Sequence, residues 1–134
     1  GGGEMGRQWY EDGKLLANTR ESAIAAYLDG WKRRIERVGT LNFPNEARRR
    51  QLSGNPVLEV AIRANGTLES VVVRRTSGHR ELDNAAVGIV RLAAPFEPFP
   101  SALRERYPVL RFAYEWQFIN GQLGGAGAVF SSGP

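Results

Sequence analysis

The chain has 134 residues, enough for one domain with tails, and it contains no cysteine, which excludes disulfides and thiol chemistry. Eighteen basic and fourteen acidic residues give a formal charge of +4, only mildly basic and too little to single out nucleic acid as a partner. No run of about 18 apolar residues exists, so no stretch has the composition of a membrane-spanning helix, and none resembles a signal peptide.

In chain order, residues 1–17 are Gly-rich and polar, with scattered Trp9, Tyr10, Leu15 and Leu16, and are expected to be a flexible lead-in or linker. Gly1-Gly2-Gly3 with no Met before it suggests a fragment of a longer parent or a tagged chain. A helix is expected from about Arg20 to Val38, capped by Asn18 or Thr19 and ended by Gly39. Ile24, Tyr27, Leu28, Trp31, Ile35 and Val38 recur at helical spacing and form its apolar stripe. Gly30 inside this helix suggests a crowded contact. After the link 40–43, Pro44 opens a short helix over Asn45–Leu52, with Ala47 and Leu52 inward and Arg48, Arg49 and Arg50 outward.

Two strands follow, Val57–Arg63 and Thr67–Arg75, joined at Ala64-Asn65-Gly66. Asn-Gly is a hairpin signal because both residues tolerate positive φ. The inward face of the second strand is ambiguous: Val71 with Val73, or Leu68 with Val72. Thr76-Ser77-Gly78 turns into a core helix from about His79 or Arg80 to Leu92 or Ala93, carrying Leu82, Ala85, Ala86, Ile89 and Val90 inward. The proline-rich loop 94–100 is pinned by Phe96 and Phe99, and Ser101–Arg106 makes one helical turn. The clearest strand is Val109–Phe118, with Leu110, Phe112, Tyr114, Trp116 and Phe118 on one face. The opposite face carries Arg111, Ala113, Glu115 and Gln117. Residues 119–134 read as a flexible Gly/Ser-rich tail.

This order predicts an α+β domain over 18–118: a two-layer fold with a three-stranded antiparallel sheet of order 2-1-3 and helices on one face. Such a sheet leaves its outer strands with unpaired edges, which must be covered, twisted or used. Using one means accepting another polypeptide as an extra strand.

Catalysis finds little to work with. His79 is the single histidine, at a helix start, and no His, Asp and Glu group has metal-ligand spacing. No catalytic, cofactor-binding or metal-binding residue is therefore assigned. The basic clusters lack interleaved aromatics that would stack on bases, so no nucleic-acid partner is expected.

Several segments together are specific. Tyr27-Leu28-x-x-Trp31-x-x-x-Ile35, Val38-Gly39-x-Leu41-Asn42-Phe43-Pro44, Glu46-Ala47-Arg48-Arg49, Gly54-x-x-x-Leu58-x-Val60 and Asn65-Gly66-x-Leu68 form the first set. Val73-x-x-x-Ser77-Gly78-His79-x-x-Leu82-Asp83-x-Ala85-Ala86, Ala94-Pro95-Phe96-x-Pro98-Phe99-Pro100 and Trp116-Gln117-Phe118 complete it. Over roughly residues 20–118 the chain resembles the C-terminal periplasmic domain of the TonB energy-transducer family. Phe43-Pro44 stands where many members have Tyr-Pro, and the helix at 20–38 resembles a longer subclass.

The resemblance implies a periplasmic domain of a Gram-negative energy transducer whose parent is anchored in the inner membrane by an N-terminal helix and contacts ExbB and ExbD. It implies binding to the TonB box of outer-membrane transporters, in support of uptake of iron-siderophore or similar cargo. By the family's binding mode the partner pairs with the last strand, at Val109, Arg111, Ala113, Glu115 and Gln117. Arg48, Arg49 and Arg50 are candidates for electrostatic contact with an acidic receptor or peptidoglycan. The alternatives are a TolA-like or other envelope interaction module, a homodimer made through edge strands and, behind both, a nucleic-acid-binding α+β module.

Overall fold

The structure, a computed structural model, describes residues 18–123. The expected lead-in and most of the expected tail lie outside that range. The elements are α1 (Asn18–Leu41), α2 (Asn45–Arg49), β1 (Val57–Arg63), β2 (Leu68–Arg75), α3 (Arg80–Ala93), α4 (Ser101–Arg104), β3 (Val109–Glu115), β4 (Phe118–Ile119) and β5 (Gln122–Leu123).

The apolar stripe of α1 goes inward as its spacing requires: Ile24, Leu28, Trp31 and Ile35 are buried, Tyr27 and Val38 partly so. Gly39 does not end this helix, which runs on to Leu41. Its role is proximity instead, since a Cβ there would meet Leu123 Cδ2 at 2.9 Å and Ile89 Cδ1 at 3.4 Å. Gly30 is not in a crowded contact; a Cβ would come only within 3.9 Å of Arg33 Nη2. The short second helix ends at Arg49, three residues before the expected Leu52, and Gln51 follows with φ 53°.

β1 is central in a three-stranded antiparallel sheet of order β2-β1-β3, as expected. Leu58, Val60 and Ile62 face the helices. The ambiguity of β2 has a physical cause. Ile62 pairs with Leu68 but Ala61 with Ser70, so Glu69 is an extra residue, and beyond it Val60 pairs with Val71 and Leu58 with Val73. This bulge brings even-numbered Leu68 onto the same face as odd-numbered Val71, which no strict alternation can do. A second irregularity leaves Arg74 between Val73 and Arg75.

The turn from β1 to β2 also differs from expectation. Gly66, at φ 93°, has positive φ and Asn65 does not. Gly66 N–H donates to Arg63 O (2.8 Å), and Asn65 Oδ1 instead accepts from Thr67 N–H and Thr67 Oγ1. The proline-rich loop lies across this turn: Phe96 N–H donates to Gly66 O and Phe99 N–H to Ala64 O, each at 2.8 Å. Any Cβ on Gly66 would sit 2.1 Å from Phe96 O.

The core between sheet and helices is a row of aromatic contacts. Trp31 meets Phe112 and Tyr114 edge-on (4.8 and 5.0 Å), Tyr114 meets Trp116 (5.4 Å), and Trp116 stacks on Phe118 (5.6 Å). Leu110, Phe112, Tyr114, Trp116 and Phe118 are all buried, as their alternation requires. The long last strand is interrupted, however: β3 stops at Glu115, and Phe118–Ile119 pairs with Gln122–Leu123 in a separate hairpin. Residues 119–123 therefore begin as folded chain where a tail was expected.

Candidate functional site: the free edge of the third strand

Neighbouring antiparallel strands alternate between pairs that exchange backbone hydrogen bonds and pairs that exchange none. The ends of the β1–β3 ladder fix which are which. Ala64 N–H donates to Pro108 O and Trp116 N–H to Pro56 O, both at 2.9 Å; Gly54 and Phe118 exchange both bonds at 3.0 Å. Between them the register is unbroken, from Arg63↔Val109 to Val57↔Glu115. The positions bonded to β1 are thus the even-numbered ones. Val109, Arg111, Ala113, Glu115 and Gln117 aim their N–H and C=O groups away from β1, and no described strand pairs with Val109–Glu115 on that side. Sequence alternation puts four of these, Arg111, Ala113, Glu115 and Gln117, on one side-chain face, and the family resemblance adds Val109. The backbone phase gives them a second property.

Their side chains lie on the sheet face that the helices leave open, and several are already engaged. Arg111 pairs with Glu69 (2.7 Å), Glu115 with Arg75 (3.0 Å), Glu59 with Arg74 (3.3 Å), and Arg63 with Glu69 (3.6 Å). Ala61 and Ala113, 1% and 8% exposed, sit among these longer chains. Exposed pairs of this kind contribute about 0–1 kcal/mol each, so they shape the surface more than they hold the fold. Gln117 is exposed. What β3 offers a partner is therefore chiefly backbone.

The other sheet edge is different. β2 carries both irregularities of the sheet, at Glu69 and Arg74, and bulges of this kind bend an edge and spoil its ladder. β3 carries none.

The arginine cluster is not brought to this edge as a group. Arg49 pairs with Glu46 on its own helix, and Arg50 reaches Glu81 on α3. Arg48 lies 5.8 Å over the Phe43 ring and lines a cleft of about 250 Å³ with Thr40, Phe43, Gln122 and Leu123, beside the hairpin. A second cleft, about 280 Å³, runs between α1 and the proline-rich loop, lined by Tyr27, Gly30, Trp31, Arg34 and Phe96 among others. There Tyr27 donates to Glu97 O (2.8 Å) and Arg34 Nε to Ala93 O (2.7 Å). Burial, with Glu97 nearby, pushes the Tyr27 phenol up to about 12.

His79 lines neither cleft; it is the N-cap of α3. Ser77 Oγ accepts from His79 N–H (3.0 Å) and donates to His79 O (2.9 Å), while Asp83 accepts from Thr76 Oγ1 and from Ser77 N–H (2.8 Å). Partial burial would raise the Asp83 carboxyl, but these hydrogen bonds outweigh it and hold its pKa below the ordinary value. Among the described residues no group of three His, Asp or Glu side chains is placed to hold a metal, and no helix is long and apolar enough to cross a membrane.

The family model for the C-terminal region of the Gram-negative bacterial TonB protein matches residues 40–116, more than half of the chain. The chain belongs to the TonB C-terminal family. That match begins at the end of α1 and closes with Trp116, so it contains the whole three-stranded sheet and its β3 edge. Protein TonB of Pasteurella multocida (strain Pm70) is 30% identical over 80 residues, which is 60% of this chain and 30% of that protein. The chain thus spans under a third of the length of the curated relative it matches. No solved structure matches it. TonB C-terminal domains are periplasmic interaction domains of envelope energy transduction, without catalysis of their own.

The β4–β5 hairpin was missed by sequence reasoning, although its signal was present. Asn120-Gly121, between Phe118-Ile119 and Gln122-Leu123, is the same dipeptide that marked the first hairpin.

Proposed function

We propose that this domain binds the TonB box of outer-membrane transporters by strand addition to the free edge of β3. The observation that carries the reading is the unbulged register of β3 with the outward N–H and C=O groups of Val109, Arg111, Ala113 and Glu115. An extended peptide laid there gains backbone hydrogen bonds, with selection left to alternate side chains. In the parent protein an N-terminal inner-membrane helix contacts ExbB and ExbD, and the domain passes work derived from the proton-motive force to the transporter. The cargo is iron-siderophore or similar.

The test is a backbone-amide NMR titration with TonB-box peptides from TonB-dependent receptors, on the parent chain and on Ala113→Pro. Saturable shifts along Val109–Gln117 are expected. Proline at 113 removes a donor that faces the edge and not β1, so the fold should persist while affinity falls. Shifts confined to β2 or the clefts, or equal affinity in Ala113→Pro, would refute the reading. Self-association in place of peptide binding would favour the dimerising alternative.

A further inference from the structure

We infer that the cleft between α1 and the proline-rich loop binds a short peptide with both ends free, its carboxylate at Arg34 and Arg37 and its ammonium at Glu97. This surface is separate from the β3 edge, and the inference stands whether or not a receptor peptide uses that edge.

It starts from Gly30. A glycine inside a helix lowers its stability relative to alanine, and close packing is the usual structural reason to keep one. No such packing exists here: a Cβ on Gly30 would come only within 3.9 Å of Arg33 Nη2. Gly30 instead lines the cleft, so the space that a side chain there would take is the cleft itself.

The walls are made in advance. Trp31 and Phe96 line the cleft with ring centroids 5.9 Å apart. Phe96 N–H is fixed on Gly66 O, and the loop is tied to α1 twice, by the Tyr27 hydroxyl on Glu97 O and by Arg34 Nε on Ala93 O. A guest that enters therefore has little of the protein to order. Trp31, 4% exposed, also keeps an indole N–H with no hydrogen-bond partner among the described residues, where buried donors almost always have one.

Charge is split along the cleft. Arg34 and, one turn further on, Arg37 stand at one end, and neither has a carboxylate partner among the described residues. Glu97 stands at the other end beside Tyr27, and its carboxylate has no cationic partner among those residues either. The Tyr27 phenol, pushed up to about 12 by burial and Glu97, stays protonated, so the negative charge is that of Glu97. Tyr27 and Arg34 lie two turns apart on α1, roughly 10 Å. An extended chain covers about 10 Å in three residues. The guanidinium forks match a carboxylate, the Glu97 oxygens an ammonium, and the aromatic walls an apolar side chain between them. A volume of about 280 Å³, at the low end for ligand sites, suits a guest of that size.

The test titrates the 134-residue chain with the tripeptide Gly-Phe-Gly bearing free termini, followed by NMR. Saturable shifts are expected at the Gly30 amide and the Trp31 indole N–H, with the β3 edge unchanged. The C-terminal amide and the N-acetyl form of the tripeptide should each bind about tenfold more weakly, since each loses a charge-assisted contact. Arg37→Gln, at an exposed residue without a protein partner, should weaken the free tripeptide to a similar degree. Glu97→Gln should weaken the free tripeptide but not the N-acetyl form. Gly30→Leu should abolish binding while its other amides keep the shifts of the folded parent chain. Absence of a saturable shift, equal binding of the three peptide forms, or unchanged affinity in Arg37→Gln or Gly30→Leu overturns the inference. So do cross-peaks from residues 1–17 to Gly30 or Phe96 in the ligand-free chain, since the chain would then fill the cleft itself.

Discussion

Gly66 carries two demands that only glycine meets together: φ 93°, and a Phe96 carbonyl oxygen 2.1 Å from where a Cβ would be. Gly66→Ala should lower stability by at least about 1–3 kcal/mol, the usual cost of a strained backbone position, read as a shift in the urea midpoint. Gly88, in an exposed part of α3 with nothing within 4 Å, is the control, where alanine should add about 0.5–1 kcal/mol. An equal loss at both positions would refute the role given to the proline-rich loop. The Asn65-Gly66 pair was legible as a turn, but its reason was not. The constraint comes from Phe96, thirty residues away, and local pattern carries no trace of it.

At the scale of elements, alternation located every core aromatic of β3, because one buried face imposes period two. It could not locate the inward side of β2, where the bulge at Glu69 breaks that period. Nor could it separate β3 from β4, since Phe118 keeps the same parity and the same burial as Trp116. The edge residues were legible as a set; that their backbone groups are also unspent depends on ladder phase, which two prolines and a bridge reveal only in three dimensions. The start of α3 gives a titratable test. Asp83 holds Thr76 and Ser77 with a depressed pKa, so its contribution is present above the ordinary aspartate range and is lost as pH falls through the folded-state value. Asp83→Asn should be less stable than the parent near about pH 6, and the gap in urea midpoints should narrow near about pH 3. A gap independent of pH would show that the carboxylate's charge is irrelevant to this cap.

For the molecule as a whole, the central strand has one partner next to it in sequence and the other far along the chain. β2 follows β1 after a short turn, whereas β3 is separated from β1 by β2, α3, the proline-rich loop and α4. Distant pairings of this kind are slow to form. Any chain in which β3 has not yet docked leaves one side of β1 unbonded at Leu58, Val60 and Ile62, and the β3 of a neighbouring copy fits it equally well. Refolding from urea should therefore yield strand-exchanged dimers in a proportion that rises with concentration during refolding, separable by size exclusion with light scattering from the species refolded dilute. A dimer fraction that ignores refolding concentration would refute this. The placement of β1 thus makes assembly a matter of timing: a chain folded in isolation and one folded in a crowd need not arrive at the same object.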